Sequence, residues 1–285
     1  MLESLVKKII APIVVAGSLC LSSQTSVNAQ EHSRPITKEV YISLGANIVY
    51  NAIIGGIGAK KNNQKFIDGM WKGAVGGALI GAGKYVASNN QKFAWPGRLI
   101  VWTGNSIVYN VVQGKPPLST YYCTLGPLSL SVGKEGVKPR ASLAGIVAIA
   151  AGYATGGHID LKTSLRFGTT VFTGGKLRER GFALGNGFSI DRREEDFGPV
   201  SNHENIHTLQ ASSFYGVGHL ILQLKPFKDL NNLLGNNKNR PKSPLRWLDV
   251  EGELGYMASY LPFLPLHLSN PLEYEARCLS GTSDE

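Results

Sequence analysis

Residues 201–210, SNHENIHTLQ, contain the pattern H-E-x-x-H, and this stretch decides the predicted fold. On an α-helix, His203 and His207 are one turn apart, so both imidazoles lie on one face and can bind the same metal ion. Glu204 lies beside that face, where its carboxylate can act as general base toward a water on the metal. The pattern predicts an active-site helix with Zn²⁺ as cofactor. The alternative is a surface helix with two solvated histidines.

A catalytic zinc site needs a third protein ligand and keeps its fourth position for water. The metzincin class of zinc protease is excluded, because its third histidine would fall at Ser213. His219 is a poor ligand candidate, because two glycines before it predict a break in the helix. The better candidate is the acidic segment NPLEYEAR (270–277), which is predicted to begin a second helix after Pro271.

Two short motifs resemble those of gluzincin metallopeptidases. HENIHTLQ (203–210) is similar to the H-E-x-x-H-x-x-Q form of small bacterial gluzincin-like domains. LEYEAR (272–277) resembles the E-x-x-A-D segment of the CAAX-processing and heat-shock endopeptidases, which are membrane gluzincins. GFALGNGFSI (181–190) is similar to the strand before the active-site helix, which in those families is expected to hold an extended substrate by main-chain pairing. The resemblance covers about residues 180–280.

The resemblance implies a complete set of site residues. It assigns His203, His207 and Glu273 as metal ligands and Glu204 as general base. Glu273 is favoured over Glu275, because only Glu273 is followed three residues later by alanine, as in the family segment. The two glutamates differ by about 200° around a helix, so both cannot face the metal.

One departure from the family pattern concerns the support of a ligand. Arg277 stands where the endopeptidase families have an aspartate, so another carboxylate must orient the ligand histidine if the site is active. The candidates for this support are Asp249, Glu251 and Glu253. The oxyanion of the reaction also needs a hydrogen-bond donor. The candidate donors, between which the sequence does not choose, are Tyr256, Tyr260, His219 and His267.

The N-terminal half is predicted to form three helices, at about 38–60, 66–87 and 97–113. The middle helix has glycine at every fourth position from Gly69 to Gly81, which leaves one face bare and lets a neighbouring backbone approach closely. Residues 40–59 contain no charge and are long enough to span a bilayer. A buried soluble hairpin and a membrane-associated segment are therefore both open interpretations.

Residues 1–29 have the features of a secretory signal peptide. Lys7 and Lys8 precede the apolar run 9–21, and Val27-Asn28-Ala29 forms a small-residue cleavage pattern. The protein is therefore expected to be exported, to the periplasm, the outer envelope or the extracellular space. Outside this segment the cysteines are Cys123 and Cys278, and a disulfide between them and two separate thiols are equally compatible with the sequence.

The second half predicts an α+β fold. Residues 117–132, 159–173 and 181–190 have the composition of strands, whereas 142–154 is a strand or a helix. Pro199 suits the first position of the active-site helix, and 230–244 is a polar loop. The predicted organisation is a signal peptide at 1–29, a glycine-rich helical segment at 30–115 and a zincin-like metallopeptidase domain at 116–285, with a small sheet and an active-site helix.

Composition excludes several other classes of protein. The 285 residues include 34 glycines without a G-X-Y period, which excludes collagen. With 43% hydrophobic and 17% charged residues, the chain is not of the disordered class. The formal charge is +9, but the basic residues are scattered through loops without interleaved aromatics, so no nucleic-acid partner is expected. A solvated surface or a contact with anionic lipid explains this charge better.

These observations predict an exported zinc metallopeptidase that hydrolyses peptide bonds in a peptide or protein substrate, with membrane association as a further expectation. The alternative is a non-catalytic envelope or pore-forming protein. In that case the glycine-striped helices are the functional part and the zincin-like domain is degenerate.

Overall fold

Three long helices precede a region in which two small sheets alternate with shorter helices. This computed structural model describes residues 37–175, 181–190, 197–234, 245–260 and 270–281, and they belong to one compact unit. The α-helices are α1 (Lys38–Lys61), α2 (Phe66–Asn89), α3 (Ala94–Val112), α4 (Leu143–Ala154), α5 (Leu161–Phe167), α6 (Phe197–Ser213), α7 (Tyr215–Leu222), α8 (Lys228–Leu233), α9 (Glu251–Tyr260) and α10 (Pro271–Ser280).

The strands form two four-stranded sheets, so the α+β class predicted from the sequence is confirmed. The strands are β1 (Thr120–Leu125), β2 (Leu128–Gly133), β3 (Gly136–Ser142), β4 (His158–Ile159), β5 (Thr170–Thr173), β6 (Gly181–Leu184), β7 (Gly187–Ile190) and β8 (Leu248–Asp249). One sheet has the order β1-β2-β3-β8 and the other β4-β5-β7-β6. In the second sheet β5 and β7 run parallel, and β6 is antiparallel to β7.

The glycine stripe of α2 is used for packing inside this unit. A Cβ added to Gly73 would overlap the backbone oxygen of Asn51 on α1, so the stripe meets a neighbouring backbone as its spacing predicts. Gly83 lies outside the stripe and meets α3, where a Cβ would lie 2.6 Å from the backbone oxygen of Gly97. The boundaries of the three helices agree with the predicted ones to within a few residues.

Two segments of the middle region are helical because of their caps. The undecided segment 142–154 forms α4, and Ser142 Oγ accepts from the backbone N–H three residues later at 3.1 Å. The prediction of strand throughout 159–173 is wrong, since α5 occupies its centre. Asp160 caps the start of α5, and Gly168 ends it in the left-handed region at φ 66°.

The predicted single strand at 181–190 is a hairpin, β6–β7, with a two-residue turn. Gly185 in that turn has φ 54°, a conformation that glycine adopts without strain. Helix α6, which carries the H-E-x-x-H motif, begins at Phe197, two residues before Pro199, so proline lies in its first turn rather than at its first position.

Other predictions concern the ends of the chain and the cysteines. The signal peptide at 1–29, His267 and residues 235–244 of the predicted polar loop lie outside the described residues. Cys123 and Cys278 are both free thiols. Among the described helices α1 is long and apolar enough to cross a membrane, and 33% of its most apolar window is buried. The predicted domain boundary near residue 115 stays a prediction.

Candidate metal centre

Helix α6 carries both histidines of the motif toward the interior. His207 is 6% exposed, and the His203 and His207 rings lie edge to face with centroids 4.8 Å apart. Ile206 and Leu209 of the same helix are fully buried in an apolar cluster that includes Leu279 of α10. This packing fixes the rotation of α6 about its axis, and with it the direction in which the two imidazoles project.

Helix α10 delivers a carboxylate to the same point. Asn270 caps the helix, with its Oδ1 accepting from the backbone N–H of Leu272 at 2.9 Å, and Pro271 follows at the first helical position. Glu273 therefore lies in the first turn, on the side facing α6. The second helix predicted after Pro271 is thus present, and it brings Glu273 rather than Glu275 to the histidines.

The three candidate ligands converge on one point. His203 Nε2 lies 3.1 Å from His207 Nε2, and Glu273 Oε2 lies 3.5 Å from the first nitrogen and 3.3 Å from the second. Tetrahedral coordination with bonds of about 2.0–2.1 Å places neighbouring ligand atoms about 3.3 Å apart. His203, His207 and Glu273 therefore form a group that can hold a metal ion.

Each ligand responds electrostatically to the other two. Burial lowers the pKa of His203 more than the hydrogen bond with Glu273 raises it. Burial opposes protonation of His207 too, but Glu273 and the charge of Glu204 outweigh it and raise that pKa. For Glu273 burial is outweighed by the hydrogen bonds and charges of both histidines, which hold its pKa far below its ordinary value. An ionised carboxylate beside two imidazoles is the charge state that suits a divalent cation.

Glu204 lies under strand β6. It is 6% exposed, and a Cβ added to Gly181 of β6 would lie 2.9 Å from Glu204 Oε1. Glycine at this position lets the strand pass directly over the carboxylate. Among the described strands, β6 pairs with β7 alone and forms the edge of its sheet. A carboxylate that can serve as a base thus lies between the metal ligands and a sheet edge.

The support of the histidines differs from the predicted one. Gln210 Oε1 lies 2.8 Å from His207 Nδ1, and Ser280 Oγ lies 3.5 Å from His203 Nδ1. Gln210 follows His207 by three residues and so shares its helix face, a signal that was present in the sequence. Arg277 is not an acceptor for either histidine, and its Nε lies 3.4 Å from the backbone oxygen of Glu273.

The carboxylates predicted to support the histidines bond elsewhere, so that prediction is wrong. Asp249 accepts from Tyr215 at 3.0 Å, and Glu253 accepts from Ser142 at 2.5 Å. Glu251 bonds to Tyr109 and to His219. These acids belong to a second buried cluster around β8 and α9, because Asp249 ends β8 and the other two lie in the first turn of α9.

Two of the candidate oxyanion donors also have contacts in this region. His219 Nδ1 lies 2.9 Å from Glu251 Oε1, and both residues line a cavity of about 830 Å³ in which none of the three metal ligands takes part. Tyr256 packs its ring on Phe214, with centroids 6.1 Å apart. The side chain of Tyr260 and the whole of His267 lie outside the described residues.

Sequence reasoning did not find the residues that surround Glu275. This carboxylate points away from the ligands and forms a buried ion pair with Lys84 of α2 at 2.9 Å. Lys84 is a charged residue in an otherwise small and apolar helix face that begins at Gly69, and that contrast was the available signal.

No protein-family model, curated protein or solved structure matches the chain.

Proposed function

We propose that the protein is a zinc metallopeptidase of the gluzincin type. His203, His207 and Glu273 hold the metal, and Glu204 is the general base. The observation that carries the proposal is the convergence of three ligand atoms, all within 4.8 Å of one another, from two helices that are far apart in sequence. Two imidazoles and one carboxylate are a donor set of catalytic zinc sites.

The chemistry follows from the positions of the chain's own groups. When bound, zinc supplies Lewis-acid activation of a water molecule and of the scissile carbonyl. Glu204 accepts the proton of the attacking water and delivers it to the leaving amine. The low exposure of Glu204 strengthens its interactions with charges formed beside it.

The substrate class is an extended peptide. The edge strand β6 passes over Glu204, and an extended chain that pairs with its main chain would run past the base. Gly181 begins this strand, and its missing side chain leaves Glu204 within reach of a peptide on the edge. A peptide or protein is therefore the expected substrate.

One pair of variants tests the catalytic role. Glu204→Gln is expected to retain the metal but to lower the rate of hydrolysis of fluorescently labelled casein by about 10²–10⁴-fold, because the base is lost. Glu135→Gln changes a glutamate that is 80% exposed and should hydrolyse casein at the wild-type rate. If Glu204→Gln hydrolyses as fast as the wild type, the proposed base is wrong.

We further propose that the exported protein rests on a lipid surface through α1. The exposed large apolar side chains of this helix are Tyr41, Ile42, Ile48, Val49, Ile53 and Ile57. At 100° per residue they fall within about half of the helix circumference. Lys38 and Lys61 are at its two ends, where they can meet anionic headgroups.

Vesicle flotation tests the lipid contact. The wild-type chain should float with vesicles of phosphatidylglycerol and phosphatidylcholine, and Val49→Ser/Ile53→Ser should float much less. Wild-type protein that stays at the bottom of the gradient would contradict the contact. The pore-forming alternative gains no support, because the glycine stripe of α2 is already packed against α1.

A further inference from the structure

A buried ion pair joins the second glycine-rich helix to the helix that carries Glu273. Lys84 Nζ on α2 lies 2.9 Å from Glu275 Oε2 on α10, and the two side chains are 2% and 9% exposed. Removing two such charges from water carries a large desolvation penalty, so a buried pair is weak evidence for a stabilising role. The groups bonded to Glu275 indicate a different role.

Glu275 accepts hydrogen bonds from three other helices. Its Oε1 accepts from Ser43 Oγ at 2.9 Å and from Asn47 Nδ2, both on α1. Its Oε2 accepts from Lys84 and, at 2.9 Å, from Gln210 Nε2 on α6. All four partners are donors, and one of them is the ammonium group of Lys84. The Glu275 carboxylate therefore acts as an acceptor toward each of them.

This acceptor fixes the orientation of the Gln210 amide. Gln210 Nε2 donates to Glu275 and, at 2.8 Å, to the backbone oxygen of Leu272. Turning the amide by 180° would place its oxygen against two acceptors, which is strongly unfavourable. Gln210 Oε1 consequently faces His207 Nδ1 at 2.8 Å.

The Gln210 oxygen in turn sets the tautomer of His207. An amide oxygen only accepts, so His207 Nδ1 carries the proton. The other ring nitrogen, Nε2, lies 3.1 Å from His203 Nε2 and 3.3 Å from Glu273 Oε2, where its lone pair is available to a metal ion held by the three groups. Donation of the second ring N–H to an acceptor is the arrangement that orients histidine ligands at metal sites.

The glycine stripe determines how closely α1 and α2 approach each other beside Glu275. A Cβ on Gly77 would overlap the backbone oxygen of Asn47, and one on Gly81 would lie 2.9 Å from Leu44 Cδ2. Lys84 follows on the same helix face and also donates to Asn47 Oδ1 at 3.1 Å. Close contact between α1 and α2 thus lets both helices bond to Glu275.

We propose that Lys84 and Glu275 are positioning residues that hold the metal ligand His207, through Gln210, in the tautomer and orientation needed for binding. The glycine-rich helices are then part of the metal centre rather than a separate segment. The inference rests on the proposed function in taking His207 to be a ligand.

The first test compares metal affinity between matched variants. Lys84→Met/Glu275→Met removes both charges, so the fold keeps its packing without an unpaired buried ion. Because Ser43 and Asn47 also lose an acceptor, we expect a lower melting temperature in a chain that still folds. Its Zn²⁺ affinity, measured by chelator competition, should fall by about 10-fold or more. Lys72→Met, the same substitution elsewhere on α2, should bind Zn²⁺ like the wild type.

A cycle through Gln210 separates positioning from general damage. Gln210→Met alone should weaken Zn²⁺ binding to a similar extent. Adding Lys84→Met/Glu275→Met to Gln210→Met should cost little more, because the pair acts through Gln210. The proposal would be overturned if the losses of affinity in Gln210→Met and in Lys84→Met/Glu275→Met multiplied in the combined variant. It would also be overturned if Lys84→Met/Glu275→Met bound Zn²⁺ with wild-type affinity.

The second test needs no metal. Long-range ¹H–¹⁵N spectra of the metal-free chain with labelled histidine, at about pH 9 where imidazoles are neutral, should show His207 protonated at Nδ1. In Lys84→Met/Glu275→Met this signature should become a mixture of tautomers. If the wild type binds Zn²⁺ but the His207 tautomer is unchanged in Lys84→Met/Glu275→Met, the positioning role is refuted and the proposed function is not. A tautomer that changes in a chain that binds no Zn²⁺ would support the positioning of His207 and refute the proposed function.

Discussion

The residues of the metal cluster differ in how they can be found from sequence. His203, Glu204 and His207 lie within one helical turn, so their relative placement follows from helix geometry alone. Glu273 was assigned by resemblance, and its approach to both histidines supports that choice over Glu275.

The surroundings of the cluster could not be predicted in the same way. Lys84 and Glu275 are 191 positions apart, and no local pattern links them. Asp249, Glu251 and Glu253 look suited to support a histidine by composition, yet the fold places them in another cluster. Gln210, at the short spacing i+3 from His207, had a local signal that also indicates its partner.

Glu251 gives a prediction at this scale. Burial and the nearby Glu253 raise its pKa from the ordinary 4.5 to about 8, whereas burial lowers the pKa of His219, its hydrogen-bond partner, to about 4. Between about pH 6.5 and 8 the unfolded chain ionises Glu251 but the folded chain keeps it protonated. The free energy of unfolding should therefore fall as the pH rises through this window, by about 1–2 kcal/mol.

Glu251→Gln should make this dependence smaller, because the amide does not ionise, and Glu253, whose pKa is raised to about 7, should account for what remains. Urea unfolding at several pH values measures the effect, with the exposed Glu135→Gln as control. Below about pH 6.5 the unfolded chain also protonates His219, which lowers the free energy of unfolding as the pH falls. The comparison is therefore made above that pH. Parallel curves for wild type and Glu251→Gln between pH 6.5 and 8 would refute the buried, protonated state.

At the scale of elements, the long helices follow from the periodicity of the sequence, whereas the short helices depend on the residues that cap and end them. The three N-terminal helices are long and their glycines are regularly spaced, so their positions follow from the sequence. Helix α5 has seven residues, and its Asp160 cap and terminal Gly168 outweigh the strand-like composition around it. The hairpin β6–β7 likewise depends on the turn at Gly185.

The glycines of α1 and α2 provide an internally controlled prediction. Gly73→Ala would place a Cβ against the backbone of Asn51 and Ala52, which cannot yield unless the helices separate. We expect a loss of about 1–3 kcal/mol. Gly45→Ala meets no atom within 4 Å and should gain up to about 1 kcal/mol from helix propensity.

Thermal unfolding followed by circular dichroism measures both changes. The two substitutions are chemically identical and both lie in long helices, so opposite signs would separate packing from propensity. Equal shifts for Gly73→Ala and Gly45→Ala would contradict the close contact between α1 and α2.

In the molecule as a whole, the described residues form one compact unit in which the N-terminal helices bond to the two helices that carry the candidate ligands. Arg98 of α3 is fully buried and donates to Asn205 and Thr208 of α6 at 2.7 and 2.8 Å. Arg98 joins α3 to α6, as Lys84 joins α2 to α10. The helices could be predicted from the sequence, but this connection could not.

The central claim is that the chain binds zinc through His203, His207 and Glu273. Elemental analysis of the purified full-length chain tests it most directly, with His158→Ala, which changes a histidine of β4 outside the cluster, as control. We predict about one zinc per chain in the wild type and in His158→Ala, and almost none in His203→Ala. Wild-type protein without zinc, or His203→Ala with a full complement, would contradict the claim.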